Sequence, residues 1–295
     1  MKYSARLFVA LQWLLPKRLL SDFVGWLTRL EGGPATRLAI RAFVRGYGVD
    51  MRDALVPELD SYASFNAFFT RALRADARPL PADPALFLCP ADGTLSEFGK
   101  LEPARLVQAK GIDYGLLDLF DGDASLAAMF TGGVFATIYL APYNYHRVHM
   151  PCTATARWLR HVPGELFSVN AVTALGVPRL FCRNERTIVV FEVGVHRLAM
   201  VMVGALNVGS IELVLPPATP ARNRPQPTLP AHQSMPLDGP QLARGAEFGR
   251  FNMGSTVIVI ASRDWIEWHA GAHAALPVRL GEILGRAITA DPVRR

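Results

Sequence analysis

From residue 79 onward, glycine and proline divide the chain into short apolar runs, and this pattern limits the folds it can form. Four runs rich in β-branched side chains stand out, at 134–140, 187–193, 198–203 and 257–261. Runs of this length and composition are typical of β-strands. No long helical segments alternate with them, which disfavours a doubly wound parallel sheet. The pattern predicts a β-rich domain of mostly antiparallel short strands over residues 76–295.

Residues 1–75 show a helical pattern instead. Apolar residues between Leu19 and Leu30 cluster on one side of a helical wheel, and Arg37, Arg41 and Arg45 repeat every four residues. A further helix is predicted over residues 64–73. Its inward-facing residues are expected to be Phe65, Phe68, Phe69 and Leu73. The chain is therefore predicted to be an α+β protein, with N-terminal amphipathic helices followed by the β-rich domain.

The N-terminal region is basic and apolar, which favours an anionic membrane surface as its partner. Residues 1–50 contain eight basic and three acidic side chains and so carry most of the net charge of +6. The apolar run 7–15 is shorter than the roughly 20 residues that span a bilayer, and no signal-peptide cleavage site follows it. Basic helices that carry tryptophan suit a bilayer interface, although amphipathic helices also pack on protein cores. Nucleic acid is disfavoured because no nucleic-acid motif is present.

Two other features bound the chemistry. The three cysteines, Cys89, Cys152 and Cys182, form no C-x-x-C pair, which favours a reducing compartment and predicts neither a disulfide framework nor a metal site. The proline-rich stretch 216–240 is predicted to be a poorly ordered loop.

Candidate catalytic residues occur in the order Asp92, His149, Ser255. Each residue alone is weak evidence for catalysis, since Asp-Gly and Gly-Ser are common in turns. Together they match the parts of a nucleophilic triad, in which histidine takes the serine proton and the acid holds the histidine tautomer. Ser255 lacks the G-x-S-x-G context of serine hydrolases, because Val257 stands at the second glycine position. Gly254, without a Cβ, permits a strained backbone, so the serine is placed to attack its own chain.

Five motifs in a fixed order resemble those of the phosphatidylserine decarboxylases, from about Phe65 to Ile260. They are FFTRALRADARPL (68–80), PADGT (90–94), KGIDYGL (110–116), APYNYHRVHMP (141–151) and the G-x-E-x-G-x-F-x-x-G-S-T stretch (245–256). Bacterial members usually carry leucine where this chain has Met253, and lysine is common at the position of Arg244. The stretch 216–240 has no counterpart in this resemblance.

The resemblance implies that the chain makes its own cofactor. Ser255, activated by His149 and oriented by Asp92, would attack the Gly254 carbonyl and cut the chain between Gly254 and Ser255. Fragments 1–254 and 255–295 would remain as a heterodimer. Ser255 would become a covalent pyruvoyl group, which forms a Schiff base with the substrate amine and accepts electrons during decarboxylation. His146 is the candidate proton donor, with His149 as the fallback.

The expected reaction converts phosphatidylserine, in an anionic bilayer, to phosphatidylethanolamine and CO₂. The expected location is the cytoplasmic side of the inner membrane of the cell, as a peripheral protein, and a higher oligomer is left open. Two other functions stay open on the residues alone. One is a serine hydrolase that uses Asp92, His149 and Ser255 on an external ester, and the other is a non-enzymatic, membrane-bound β module.

Overall fold

The structure is a computed structural model of the uncut chain and describes residues 3–109, 112–206, 210–215 and 234–288. Helices dominate its first seventy residues, and strands dominate the rest. The helices are α1 (Tyr3–Leu14), α2 (Lys17–Arg29), α3 (Pro34–Tyr47), α4 (Phe65–Phe69), α5 (Leu116–Leu119), α6 (Ala124–Ala128), α7 (Ala171–Gly176) and α8 (Leu180–Arg183), with a 3-10 turn at Leu59–Ser61.

The strands follow from residue 86 to residue 287. They are β1 (Leu86–Leu88), β2 (Gly93–Lys100), β3 (Arg105–Ala109), β4 (Ile112–Gly115), β5 (Val134–Leu140), β6 (Arg147–His149), β7 (Ala154–Val162), β8 (Arg186–Val193), β9 (His196–Val203), β10 (Ile211–Leu213), β11 (Ser234–Pro236), β12 (Gln241–Leu242), β13 (Glu247–Phe251), β14 (Ser255–Ala261), β15 (Ile266–Trp268), β16 (Leu276–Val278) and β17 (Ile283–Ala287).

One large sheet organises the β-rich region. Its strand order is β11-β7-β8-β9-β14-β5-β2-β16, with β12 also paired to β7. Smaller sheets are β1-β17-β15, β10-β13-β6 and β3-β4. Every pairing between these named strands is antiparallel. The predicted α+β class, with helices first and antiparallel strands after, is confirmed.

Strand β14 lies at the centre of the large sheet, between β9 and β5. Its side chains alternate between two hydrophobic cores, one on each face of the sheet. Val257 and Val259 belong to one core, and Ile258 and Ile260 belong to the other. Because a hydrophobic core covers each face of the sheet, consecutive residues of the strand from Val257 to Ala261 are all apolar in the sequence. By the same alternation, Ser255 shares the face of Val257.

The predicted helix over residues 64–73 is shorter in the structure. Ser64 caps its N-terminus by accepting a hydrogen bond from the backbone N–H of Ala67, and the helix ends at Phe69. Leu73 instead pairs with Ala54 in an isolated antiparallel bridge. The sequence pattern thus predicts helix up to residue 73, but the backbone pairing of Leu73 with Ala54 is incompatible with helix at that end.

Most of the predicted proline-rich loop, residues 216–233, lies outside the described residues. The prediction of poor order does not hold for Ser234–Pro236, which forms β11 and pairs with β7. Its position at the edge of the sheet explains why a proline is tolerated there, since an edge strand does not need every backbone N–H in the ladder.

Helix α2 packs on the rest of the protein through its small and polar side chains. Lys17, Ser21 and Gly25 are buried. The large apolar side chains point away from the protein: Leu19 is 72% exposed, Phe23 57% and Trp26 55%. The amphipathic helix was therefore predicted correctly, and among the described residues Leu19, Phe23 and Trp26 belong to no hydrophobic core cluster. Among the described residues, no helix is both long enough and apolar enough to cross a membrane.

Candidate active site

Three adjacent strands of the large sheet, β14, β5 and β2, relate Ser255 to Asp92, while His149 lies on β6 of a separate sheet. Ser255 opens β14 opposite Leu140, the last residue of β5. Tyr139 of β5 pairs with Thr94 of β2, so Leu140 lies near Gly93, the residue after Asp92. A Cβ on Gly93 would lie 2.4 Å from the carbonyl oxygen of Tyr139, so only glycine fits where β2 meets β5. Asp92 and Ser255 thus lie about two strand spacings apart, roughly 10 Å.

Ser255 is fully buried, and its hydroxyl oxygen has no hydrogen-bond partner in the part of the chain that the structure describes. A buried hydroxyl without a partner is costly and marks a group held for chemistry or for an unseen ligand. The residue before Gly254 is strained, because Met253 has φ +102°, a region that side-chain-bearing residues avoid. The positive φ thus lies at Met253, one residue before Gly254, whose own φ is not positive.

Hydrogen bonds of the Asn252 side chain hold the segment that precedes the candidate cleavage bond. The Asn252 amide donates to Ser210 Oγ at 2.7 Å and to Glu212 Oε1 at 2.8 Å, while its own carbonyl oxygen accepts from the Asn66 amide at 3.1 Å. Met253 packs against the hydrophobic cluster that includes Phe69 of α4. Sequence reasoning missed these contacts, because Asn66 and Asn252 are 186 residues apart in the chain.

His149 is held in one tautomer by two hydrogen bonds. Its Nδ1–H donates to the carbonyl oxygen of Gly245 at 2.8 Å, so its Nε2 accepts from the Tyr145 hydroxyl at 3.0 Å. Gly245 has φ +80°, and a Cβ there would lie 2.3 Å from Leu80, which explains the glycine. Burial lowers the pKa of His149 below its usual value, so the ring is neutral and able to accept a proton.

Asp92 is held by groups other than His149. Arg78 donates to its carboxylate through Nη2 at 2.6 Å, and the backbone N–H of Leu280 donates at 2.8 Å. Arg78 also donates to Asp53 at 2.6 Å. Although burial opposes it, the hydrogen bonds to both carboxylates raise the pKa of Arg78. Asp92 and His149 share no hydrogen bond among the described residues, but Asp92 lies close enough to influence the pKa of His149.

His146 lies fully buried beneath the ring of Phe69, with the two ring centres 4.0 Å apart. Its Nδ1–H donates to the carbonyl oxygen of Asn144 at 2.8 Å, and its Nε2 has no partner among the described residues. Burial, with a contribution from the Arg71 charge, lowers the pKa of His146 to about 3. The ring is therefore neutral at physiological pH, and within the described part of the chain the lone pair of Nε2 has no partner.

The cysteines take no part in this arrangement. Cys89, Cys152 and Cys182 are free thiols, and burial raises the pKa of each to about 12. Over the described ranges, the structure holds no group of three or more histidine, cysteine, aspartate or glutamate side chains suited to a metal ion.

Comparisons with known proteins agree with the architecture and the motifs. The family model described as phosphatidylserine decarboxylase matches residues 65–286, and a second model, described as PSD, matches residues 7–48. A phosphatidylserine decarboxylase proenzyme of Pseudomonas aeruginosa is 46% identical over 286 residues, which cover 96% of this chain and 98% of that protein. The proenzyme of Bordetella pertussis is likewise 46% identical over 286 residues, covering 96% of this chain and 95% of that protein.

These matches span both the helical region and the β-rich domain. The chain belongs to the phosphatidylserine decarboxylase family.

Proposed function

We propose that this protein decarboxylates phosphatidylserine to phosphatidylethanolamine and CO₂ after cutting its own chain between Gly254 and Ser255. Family membership supports the reaction, and the proenzyme names of the relatives support the self-processing. The observation that carries the self-cleavage is the buried, unpartnered Ser255 hydroxyl directly after a strained backbone.

Self-cleavage begins with attack of the Ser255 hydroxyl on the carbonyl carbon of Gly254, with His149 as the base that removes the hydroxyl proton. Because the Tyr145 hydroxyl donates to Nε2 of His149, this hydrogen bond must break before Nε2 accepts the proton. The peptide bond is exchanged for an ester, which releases strain at Met253. Loss of the Cα proton of residue 255 then expels the Gly254 carboxylate. Residue 255 becomes dehydroalanine, and its hydrolysis releases ammonia and leaves a pyruvoyl group at the start of β14. The negative charge of Asp92 stabilises the charged form of His149 without a direct hydrogen bond.

The pyruvoyl group supplies the electron-accepting carbonyl that amino-acid decarboxylation needs and that ordinary side chains lack. The site fits such a group, because Ser255 lies buried where water is largely excluded and has no competing hydrogen bond. His146, whose neutral Nε2 has no partner among the described residues, would pass a proton to the carbon that loses CO₂. Because its pKa lies far below 7, this proton must come to Nε2 during the reaction.

The helical region 1–75 would bring the catalytic domain 76–295 to its lipid substrate. The exposed apolar face of α2 and the basic side chains of residues 1–50 suit the interface of an anionic bilayer. We place the protein at the cytoplasmic side of the inner membrane, as a peripheral heterodimer of fragments 1–254 and 255–295.

The test is the intact mass of the purified protein, together with release of CO₂ from phosphatidylserine vesicles. The wild-type chain is expected to give two fragments, the smaller with a borohydride-sensitive N-terminal ketone. Ser255→Ala and His149→Ala should leave one uncut, inactive chain. Ser262→Ala, just beyond the end of the same strand, should cut normally.

Decarboxylation by a chain whose mass shows no cut would refute the proposal. An uncut chain that is inhibited by serine-directed phosphonates would favour the serine hydrolase instead.

A further inference from the structure

A cleft of about 310 Å³ opens beside Asp92. Its walls come from the segment after α4, from the loop between β5 and β6, and from residues 277–282. Residues that matter for its chemistry include Arg71, Arg78, Asp92, Gly93, Tyr145 and Arg279. Gly93, which lines the cleft, opens β2, and β2 lies two strands from β14 and Ser255 in the large sheet.

Arg71 is the unusual residue of this cleft. It is only 5% exposed, and its Nε has no hydrogen-bond partner. Its Nη2 approaches the carbonyl oxygen of Tyr143 at 3.5 Å, a weak contact, and its guanidinium lies 5.4 Å from the ring centre of Phe68. Within the described ranges, no carboxylate forms an ion pair with it. A buried arginine without an anionic partner is costly, so its retention points to a ligand.

The acidic side chains of the cleft are already bound to other groups. Asp92 and Asp53 both accept hydrogen bonds from Arg78. Asp50 pairs with Arg52 at 2.7 Å, outside the cleft. The fourth acid, Glu282, accepts from the backbone N–H of Arg279 at 2.8 Å. Asp92 and Asp50 lie close enough to favour the charged form of Arg71, but within the described residues neither contacts its guanidinium, so no carboxylate occupies its N–H donors.

We propose that Arg71 binds the phosphodiester of the substrate headgroup, an inference that rests on the proposed function. A guanidinium matches phosphate oxygens through paired N–H donors, and Arg71 has those donors free. The substrate has a second anion, its carboxylate, but this group must leave as CO₂. An arginine that held the carboxylate would stabilise the ground state and slow its loss. The phosphodiester keeps its charge throughout, so binding it costs nothing in the reaction.

The position of Arg71 relative to His146 agrees with this assignment. The Arg71 charge is one of the causes that lower the pKa of His146, which means that the two groups lie near each other. A phosphodiester at Arg71 would therefore bind close to His146. The group that anchors the headgroup and the candidate proton donor would then contact the same substrate from neighbouring positions.

The first test separates binding from chemistry in the self-cleaved, full-length protein. Arg71→Gln is expected to raise KM for short-chain phosphatidylserine in micelles by at least about 10-fold, with kcat changed by less than about 3-fold. Arg71→Lys should recover part of the loss. Arg263→Gln, which removes an exposed charge elsewhere, should match the wild type. A fall in kcat with unchanged KM, or no change in either, would overturn the assignment.

A second test does not depend on self-cleavage. Glycerophosphoserine is titrated calorimetrically into the uncut Ser255→Ala chain, with and without Arg71→Gln. Arg71→Gln should weaken binding by at least about 10-fold. Inorganic phosphate that bound as tightly as glycerophosphoserine would contradict a headgroup site and show a free-phosphate site. If the wild-type protein released no CO₂, the proposed function would fail. If the wild-type protein turned over normally and Arg71→Gln had the same kinetics and binding as the wild type, only the Arg71 site would be rejected.

Discussion

Helix α2 and strand β14 are both rich in large apolar side chains, yet they use them in opposite ways. In β14, Val257 to Ala261 are all fully buried. In α2, the apolar residues are exposed, and the buried positions are Lys17, Ser21 and Gly25. The comparison teaches that an apolar pattern shows which side chains need a partner, while only the packing shows whether that partner lies inside the chain.

Polar contacts fix the N-terminal helices to the β-rich domain. The Gln12 side chain donates to Thr173 Oγ1 at 3.1 Å and accepts from the backbone N–H of Ser168 at 2.8 Å. Lys17 pairs with Glu165 at 3.1 Å, and its ammonium lies 4.3 Å from the ring centre of Phe167. Specific hydrogen bonds therefore help to set the position of α1 and α2, while the large side chains of Leu19, Phe23 and Trp26 in α2 stay exposed.

The largest expected effect concerns the exposed face of α2. Combined Leu19→Gln, Phe23→Gln and Trp26→Gln substitutions should weaken co-sedimentation with anionic vesicles by at least about 100-fold, since burying each side chain fully is worth about 1.5–3 kcal/mol. The free energy of unfolding in solution should not fall by more than about 1 kcal/mol. Val195→Gln, at an exposed hairpin outside the helices, is the control. Co-sedimentation equal to that of the wild type would refute a membrane role for this face.

The second prediction is the converse of the first: stability should fall while vesicle binding stays unchanged. Ile258→Ala in β14 should lower the free energy of unfolding by about 2–5 kcal/mol, because it opens a cavity in a packed core. Vesicle binding by the folded protein should not change. Chemical denaturation of the uncut Ser255→Ala chain measures the effect without interference from cleavage. The matched control is Ile283→Ala, at a partly exposed position, with an expected loss below about 1 kcal/mol. Equal losses at both positions would contradict the difference in packing.

A third variant tests the polar part of the buried region. Arg78→Met should slow self-cleavage and lower the free energy of unfolding by about 1–3 kcal/mol, because Asp53 and Asp92 lose their shared donor in a partly screened site. Arg78→Lys should restore a fraction of both. Gel analysis of cleavage over time and denaturation of the Ser255→Ala background give the two quantities. Cleavage at the wild-type rate would show that Asp92 needs no support from Arg78.

The smallest expected effect depends on pH. His146 has a folded-state pKa of about 3, below its unfolded value, so the unfolded chain binds a proton that the folded chain does not as the pH falls below about 6.5. This group lowers the free energy of unfolding by about 1.4 kcal/mol per pH unit below that value. His146→Gln in the Ser255→Ala background should show a shallower acid slope between pH 6 and pH 5. His273→Gln, at an exposed site, should keep the wild-type slope, and equal slopes in all three chains would argue against a neutral, buried His146.

Local patterns predicted the elements well where local forces decide them. The strand over 134–140 has the predicted bounds, and the run 257–261 is extended by two residues to include Ser255. The sequence did not show the end of α4, because the pairing of Leu73 with Ala54 is a tertiary contact. It identified the apolar face of α2 but not its orientation.

In the site, too, the sequence predicted what local motifs encode and missed what depends on tertiary contacts. Motifs identified Asp92, His146, His149 and Ser255, and their roles remain predictions. The groups that hold them, Arg78, Tyr145 and the Gly245 carbonyl, depend on contacts across the fold that spacing does not encode. Arg71 and Arg78 were within a recognised motif, yet only the structure shows that one is paired and the other is not.

The central place of β14 has a consequence for the proposed cut between Gly254 and Ser255. The segment from residue 255 onward begins with a strand hydrogen-bonded on both edges, to β9 and to β5. After such a cut, the small fragment could not depart without opening the middle of the sheet, so separation of the fragments and global denaturation would be one event. The proposed cleavage would thus create a new chain terminus deep inside the folded protein.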